Sequence, residues 1–132
     1  MEETSSRERL ALVVEDEPLV RTMAAAILSD AGYCVLEACD AQHALTILES
    51  RPEIDMVLTD VEMPGPLNGI GLALAIHDRW PGTIIVVNSG RCRPETAALP
   101  VGAGFIAKPW RSRDLLAEID ASAARSRAQT RG

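Results

Sequence analysis

Five short apolar runs lie along the chain, and between them apolar residues recur at the spacing of helices. The run at residues 10–14 shows no alternation of apolar and polar residues, which is typical of a parallel strand that is buried on both faces. We predict five strands in all, at residues 10–14, 33–38, 54–59, 83–87 and 104–107.

Signals for helix ends separate these strands. Pro18 suits the first turn of a helix, where its missing N–H removes no hydrogen bond, and Gly32 suits the end of the same helix. Asp40 and Ser112 are of the types that cap helix N-termini. The apolar residues that repeat at helical spacing, and so predict one apolar face per helix, are Leu19, Met23, Ala26, Ile27, Ala41, Ala44, Leu45, Leu48, Leu72, Ile76, Trp80, Leu115, Leu116, Ile119 and Ala123.

The segment between the fourth and fifth strands, residues 91–102, carries the weakest helix signal. Pro94 and Pro100 leave room for barely two helical turns there, so we predict a short or irregular helix. Strand and helix otherwise alternate along the whole chain. That alternation predicts an α/β fold, with a parallel sheet, helices on both of its faces and right-handed crossovers.

The composition fits one globular domain, with 132 residues of which 47% are hydrophobic and 24% charged. We expect the domain at residues 10–125, between a polar N-terminal arm (1–9) and a polar tail (126–132). The net charge of -6 argues against nucleic acid or an anionic membrane as partner. No apolar run is long enough to span a bilayer. Cys34, Cys39 and Cys92 lack metal or redox spacing, which indicates a reducing compartment.

Polar and charged residues follow the predicted strands at their carboxyl ends. Glu15 and Asp16 follow the first strand, Asp60 follows the third, and Ser89 and Lys108 follow the last two. These ends meet at one edge of a parallel sheet, where open α/β folds bind ligands. Two carboxylates 4 Å apart repel by roughly 4 kcal/mol at an effective dielectric near 20. A hard divalent cation with oxygen ligands relieves that repulsion, so the pattern predicts a cation pocket.

With these residues in place, the sequence resembles the receiver domain of two-component response regulators over residues 10–124. The resemblance rests on an acidic pair after the first strand, an Asp-x-x-Met-Pro motif at residues 60–64, a Ser-Gly pair at 89–90 and a Lys-Pro pair at 108–109. It implies a flavodoxin-like (βα)5 fold with strand order 2-1-3-4-5.

The resemblance also implies a phosphoryl-acceptor site that uses magnesium. Asp60 would accept a phosphoryl group from a sensor histidine kinase or a histidine phosphotransfer protein. Asp16, Asp60 and the main-chain carbonyl of Glu62 would ligate Mg²⁺, and Glu15 would hold a metal-bound water. Lys108 would contact the phosphoryl group or Asp60.

Further roles follow from the same resemblance. Ser89 would turn toward the phosphoryl group after transfer, and Phe105 stands where the family places its switch aromatic. The Lys108–Pro109 peptide bond would be cis. Glu62 and Arg91 each lie two residues beyond a key position, and we expect their opposite charges to pair across the pocket and obstruct attacking water.

The function implied is a phosphorylation switch in the cytoplasm that controls binding to a downstream protein. No output domain follows the receiver pattern, so we expect a stand-alone receiver. It would not be an enzyme in its own right, although it would assist its own phosphorylation and dephosphorylation. One alternative is a metal-dependent phosphohydrolase with Asp60 as nucleophile, although its common Asp-x-Asp motif is replaced by Glu-Asp-Glu at residues 15–17. Another is a pseudo-receiver that serves only as an interaction module.

Overall fold

The computed structural model describes residues 8–90 and 98–131. Five strands and four helices lie within these ranges. The strands are β1 (Arg9–Val14), β2 (Tyr33–Ala38), β3 (Met56–Asp60), β4 (Ile84–Ser89) and β5 (Gly104–Ala107). The helices are α1 (Pro18–Asp30), α2 (Ala41–Ser50), α3 (Gly69–Arg79) and α4 (Ser112–Arg131).

The five strands form one parallel sheet in the order β2-β1-β3-β4-β5, which confirms the predicted topology. In this register Val14 of β1 pairs with Thr59 of β3, and Asp60 pairs with Asn88 of β4. The carboxyl ends of β1, β3 and β4 are therefore level with one another. Residues that end or follow these strands meet at a single edge of the sheet.

Helices cover both faces of the sheet, and alternate strand residues point to each face. On one face, Leu12 and Val57 pack with the buried residues of α2 and α3. On the other, Val13, Leu58 and Val86 pack with the buried residues of α1 and α4. The central strands are thus buried on both sides, as their unbroken apolar sequences predict.

Of the four residues in the apolar face predicted for α1, only Ile27 packs, partly buried, against the core. Leu19 is 74% exposed and Met23 is 53% exposed, whereas the fully buried residues of the helix are Ala24 and Leu28. The helix is apolar on several sides, so two overlapping rows of apolar residues compete for the core. Contact with the sheet selects the row of small and aliphatic residues that contains Ala24.

Two predictions concern the second half of the chain. Residues 91–97, which hold most of the expected irregular helix, lie outside the described residues, and residues 98–103 form only turns and a short 3₁₀ segment. At the other end, α4 continues to Arg131, so residues 126–131 of the predicted polar tail are helical.

Within the described ranges, no helix combines the length and apolar character needed to cross a bilayer.

Candidate functional site

Three acidic residues converge at the carboxyl edge of the sheet. Glu15 and Asp16 follow β1, Asp60 ends the adjacent β3, and one carboxylate oxygen from each lies within 4.8 Å of the other two. Glu15 and Asp60 are each only 3% exposed, and Asp16 is exposed. The arrangement presents several oxygen ligands at one edge of the sheet, with Asp16 exposed to solvent, and oxygen ligands are the kind that Mg²⁺ prefers.

Lys108, from the loop after β5, faces these acids. Its Nζ atom lies 3.1 Å from Glu15 Oε1 and 3.2 Å from Asp60 Oδ1. The first contact is a hydrogen bond. The second is an ion pair without hydrogen-bond geometry, so the buried Asp60 Oδ1 has no hydrogen-bond partner in the described parts of the chain. The Lys108–Pro109 peptide bond is cis.

The charges of the pocket shift the pKa values of its members. Burial raises the pKa of Asp60, and the neighbouring carboxylates of Glu62 and Asp16 add to that effect, while Lys108 opposes it. Burial likewise raises the pKa of Glu15 against the influence of Lys108. Burial by itself would lower the pKa of Lys108, but its contacts with Glu15 and Asp60 outweigh burial and raise it. The resting pocket therefore holds more negative charge than one lysine can balance.

Two buried polar residues, Asn88 and Ser89, lie at the end of β4. Asn88 Nδ2 donates to the carbonyl oxygen of Thr59 at 3.0 Å, and the Asn88 carbonyl accepts from Val61 N–H at 2.9 Å. Asn88 therefore fixes the start of the loop that follows Asp60. Sequence reasoning missed this residue, although a polar amide at the end of an aliphatic strand was a signal that could have identified it.

Ser89, which is 3% exposed, contacts a side chain that was not predicted. Its Oγ donates to Oε2 of Glu62 at 2.7 Å. The sequence-based hypothesis gives Glu62 a role through its main-chain carbonyl and pairs its side chain with Arg91. Arg91 lies outside the described residues, and the carboxylate of Glu62 is bonded to the Ser89 hydroxyl.

The loop after Asp60 returns closely over the strand end. Gly69 N–H donates to the Val61 carbonyl at 3.0 Å, and a Cβ atom at Gly69 would lie 1.9 Å from the main-chain oxygen of Asp60. Asn68 then caps α3, because its Oδ1 accepts from Gly71 N–H at 3.0 Å. Only glycine fits at position 69 without moving the backbone of Asp60.

Phe105, the predicted switch aromatic, lies on β5 away from the acidic cluster. Its side chain is partly buried against the core cluster that contains Val87. Its N–H donates to Oε2 of Glu118 at 3.2 Å, and Arg125 Nη2 lies 3.1 Å from the same oxygen. The structure thus brings Glu15, Asp16, Asp60 and Lys108 together, and Ser89 joins them through the hydrogen bond from Lys108 N–H to its carbonyl oxygen, while Phe105 belongs to the adjoining strand.

Comparison with known proteins places this geometry in a family. The model of the response regulator receiver domain matches residues 11–120. The chain is 38% identical over 117 residues to the CAI-1 autoinducer sensor kinase/phosphatase of Vibrio cholerae, a match that spans 85% of this chain and 17% of that protein. It is 34% identical to the positive alginate biosynthesis regulatory protein of Pseudomonas aeruginosa, over 89% of this chain and 48% of that protein.

A solved structure shows the same fold. The response regulator receiver protein from Sinorhizobium medicae superposes with a TM-score of 0.83 at 26% identity, over 92% of this chain and 99% of that one. The chain spans less than half the length of the two curated relatives named above. The family match, the strand order and the acidic edge agree, and the chain belongs to the response regulator receiver domain family of two-component signalling.

Proposed function

We propose that Asp60 accepts a phosphoryl group from a sensor histidine kinase or a histidine phosphotransfer protein, and that this modification switches the binding of a downstream protein. The observation that carries the proposal is the state of Asp60. Its carboxylate is buried, one oxygen has no hydrogen bond to any described residue, and a lysine and two further acids surround it. A carboxylate of this kind is available as a nucleophile and is positioned beside a cation.

The acidic cluster fits Mg²⁺. Three carboxylates converge, and the unbonded Oδ1 of Asp60 is a buried acceptor without a donor in the described residues. We assign the ligands as Asp16, Asp60 and the main-chain carbonyl of Glu62, with Glu15 acting through a water molecule. When bound, Mg²⁺ would neutralise charge that develops on the phosphoryl oxygens during transfer.

The side chains of this chain position the transfer. A bond forms between an Asp60 carboxylate oxygen and phosphorus, while the bond from phosphorus to the donor atom breaks and the donor leaves with the bonding electrons. Lys108 stands 3.2 Å from Asp60 Oδ1 and stabilises the added negative charge. The Ser89 hydroxyl is the donor that we expect to turn toward a phosphoryl oxygen afterwards.

The receiver family favours this switch over a phosphohydrolase with external substrates. The two curated relatives are named as a sensor kinase/phosphatase and as a regulatory protein. Their names identify neither the kinase nor the downstream protein of this chain, and both partners are therefore part of the proposal. The cytoplasm is the compartment we propose, because free cysteines such as Cys34 and Cys39 are exposed and suit a reducing environment.

Intact-mass measurement after incubation with acetyl phosphate and Mg²⁺ tests the proposal. We expect a single phosphoryl adduct, which is lost in Asp60→Asn, reduced in Asp16→Ala and absent without the metal. Asp30→Asn removes an exposed acid at the end of α1 and serves as the matched control, with an unchanged adduct. An adduct that persists in Asp60→Asn would refute the assignment.

A further inference from the structure

We propose that Glu62 is a positioning residue for Ser89, and that its carboxylate holds the Ser89 hydroxyl until a phosphoryl group on Asp60 displaces it. We call this contact the Glu62–Ser89 latch. The inference rests on the proposed function, because the competing acceptor is the phosphoryl group on Asp60. It differs from a pairing of Glu62 with Arg91, since the partner of Glu62 is the switching hydroxyl itself.

The hydrogen bond of the latch has the geometry of a strong one. Ser89 Oγ lies 2.7 Å from Glu62 Oε2, within the short range typical of a hydroxyl bonded to a carboxylate. A serine hydroxyl has one proton to donate. While Glu62 accepts that proton, Ser89 cannot donate it to another oxygen.

Burial restricts what else the hydroxyl can do. Ser89 is 3% exposed, and its carbonyl accepts from Lys108 N–H at 2.8 Å. The backbone at Ser89 is therefore fixed between β3 and β5, and the change that remains open to the residue is rotation of its side chain. Two acceptors, the Glu62 carboxylate and a phosphoryl oxygen on Asp60, would correspond to two such rotamers.

Charge makes the two arrangements exclude each other. The carboxylate of Glu62 already raises the pKa of Asp60, together with burial, which is the larger cause. A phosphoryl group adds up to about two negative charges at Asp60, and these would repel Glu62 while they compete for the Ser89 proton. Glu62 is only partly buried, so its side chain can turn to solvent when it is displaced.

The latch therefore opposes the phosphorylated conformation and sets how readily it forms. A ligand shifts a two-state equilibrium only by its difference in affinity for the two states. In the wild type, a phosphoryl mimic that takes the Ser89 proton must first break the hydrogen bond to Glu62, and the cost of breaking it lowers the affinity of the mimic. Removal of Glu62 removes this cost and should strengthen binding of the mimic by roughly tenfold. Part of that gain would come from lost repulsion, which a second substitution can separate.

A double-mutant cycle tests the latch. The affinity of Mg²⁺ and beryllofluoride, a non-hydrolysable phosphoryl mimic, is measured by NMR titration for the wild type, Glu62→Ala, Ser89→Ala and the double variant. We expect Glu62→Ala to tighten binding roughly tenfold when Ser89 is present, and much less when position 89 is alanine. Glu17→Ala removes an exposed acid near the same edge and controls for general charge, with little expected change.

A second readout needs no phosphoryl group. Three-bond couplings of Ser89 in the unmodified protein should report one χ1 rotamer in the wild type and averaging in Glu62→Ala, with Glu62→Gln as a conservative variant expected to average less. Equal effects of Glu62→Ala in both Ser89 backgrounds, or an unchanged Ser89 rotamer, would overturn the latch. If the wild type formed no adduct at Asp60, the proposed function would fail, whereas the rotamer measurement would still judge the contact.

Discussion

At the scale of single residues, the carboxyl group of Asp60 is stabilised by one neighbour and destabilised by several. Lys108 Nζ lies 3.2 Å from its Oδ1, whereas burial and the carboxylates of Glu62 and Asp16 raise its pKa. A group with a raised folded-state pKa favours the folded protein at low pH. That stabilisation is fully present below the pKa of the unfolded group and is lost as the pH rises through the folded-state value.

Asp60→Asn should therefore raise the free energy of unfolding of the metal-free protein at neutral pH, because it removes a buried charge that the fold disfavours. The amide keeps the shape of the side chain and removes a buried charge, while Lys108 retains its hydrogen bond to Glu15. Urea unfolding in the presence of a chelator, followed from acidic to neutral pH, measures the effect.

The pH dependence gives this prediction its sign. The advantage of Asp60→Asn should grow as the pH rises above 3.8, the ordinary value for aspartate, and should nearly vanish below it. Asp30→Asn, at an exposed position, should show no such trend. A variant that is less stable than the wild type at neutral pH would contradict the charge argument.

Residue types at the strand ends could be predicted from sequence, but side-chain partners could not. An acid after an apolar run indicates where Asp60 must lie, because the strand direction fixes the edge of the sheet. The bond from Ser89 to Glu62 depends on rotamers and on the path of the loop after β3. The spacing of residues along the chain does not determine that path, and for this reason the sequence predicted Arg91 as the partner of Glu62.

At the scale of elements, the path of the loop between β3 and α3 requires a glycine at position 69. A Cβ atom at Gly69 would meet the main-chain oxygen, the carbonyl carbon and the next Cα atom at 1.9, 2.7 and 2.8 Å. All three atoms belong to the backbone at Asp60 and Val61, which cannot rotate away as a side chain would. The start of α3 and the position of Asp60 are therefore coupled.

Gly69→Ala should destabilise the fold by about 3 kcal/mol, because overpacking against backbone leaves no side chain to rearrange. It should also lower Mg²⁺-dependent phosphorylation. Gly82→Ala is the matched control, since nothing lies within 4 Å of its added Cβ, and its effect should stay within about 0.5 kcal/mol. Thermal unfolding of both variants compares them, and equal costs would show that the close approach at Gly69 is relaxed easily.

Elements differed in how well their sequences predicted them. The strand β5 was predicted with its observed bounds, because Gly104–Ala107 is bracketed by clear loop signals. The buried face of α1 was not predicted correctly, because apolar residues lie on several sides of this helix and more than one row of them has helical spacing. Leu19 and Met23 fit a helical period as well as Ala24 and Leu28 do, and only the shape of the sheet surface distinguishes them.

At the scale of the whole molecule, hydrogen bonds connect β5 and α4 to β4, the strand that ends at Ser89. Lys108 N–H bonds to the Ser89 carbonyl, and the buried Ser122 hydroxyl of α4 contacts the carbonyl oxygens of Ile85 and Gly102 at 3.1 and 3.0 Å. Glu118 of α4 accepts from the N–H of Phe105. A change at the end of β4 therefore reaches β5 and α4 through hydrogen bonds, as well as through packing.

Phosphorylation, or binding of beryllofluoride with Mg²⁺, should perturb amide NMR signals mainly from residues 89–116. Signals from residues 19–48 should change far less, because the hydrogen bonds described above run from the end of β4 to β5 and α4. Asp60→Asn with the same additives is the control and should show neither change. Comparable shifts in both regions, or shifts confined to the pocket, would contradict this route.

The contact between Glu118 and Phe105 has a consequence for association of the protein with itself. The outermost strand of a sheet offers unpaired N–H groups to which a strand from another chain can add, and such growth leads to aggregates. On β5, the Glu118 carboxylate occupies one of these donors, and Arg125 holds that carboxylate in place at 3.1 Å. A charged pair on a helix thus occupies a main-chain donor of the edge strand that a strand from a second molecule would need for pairing.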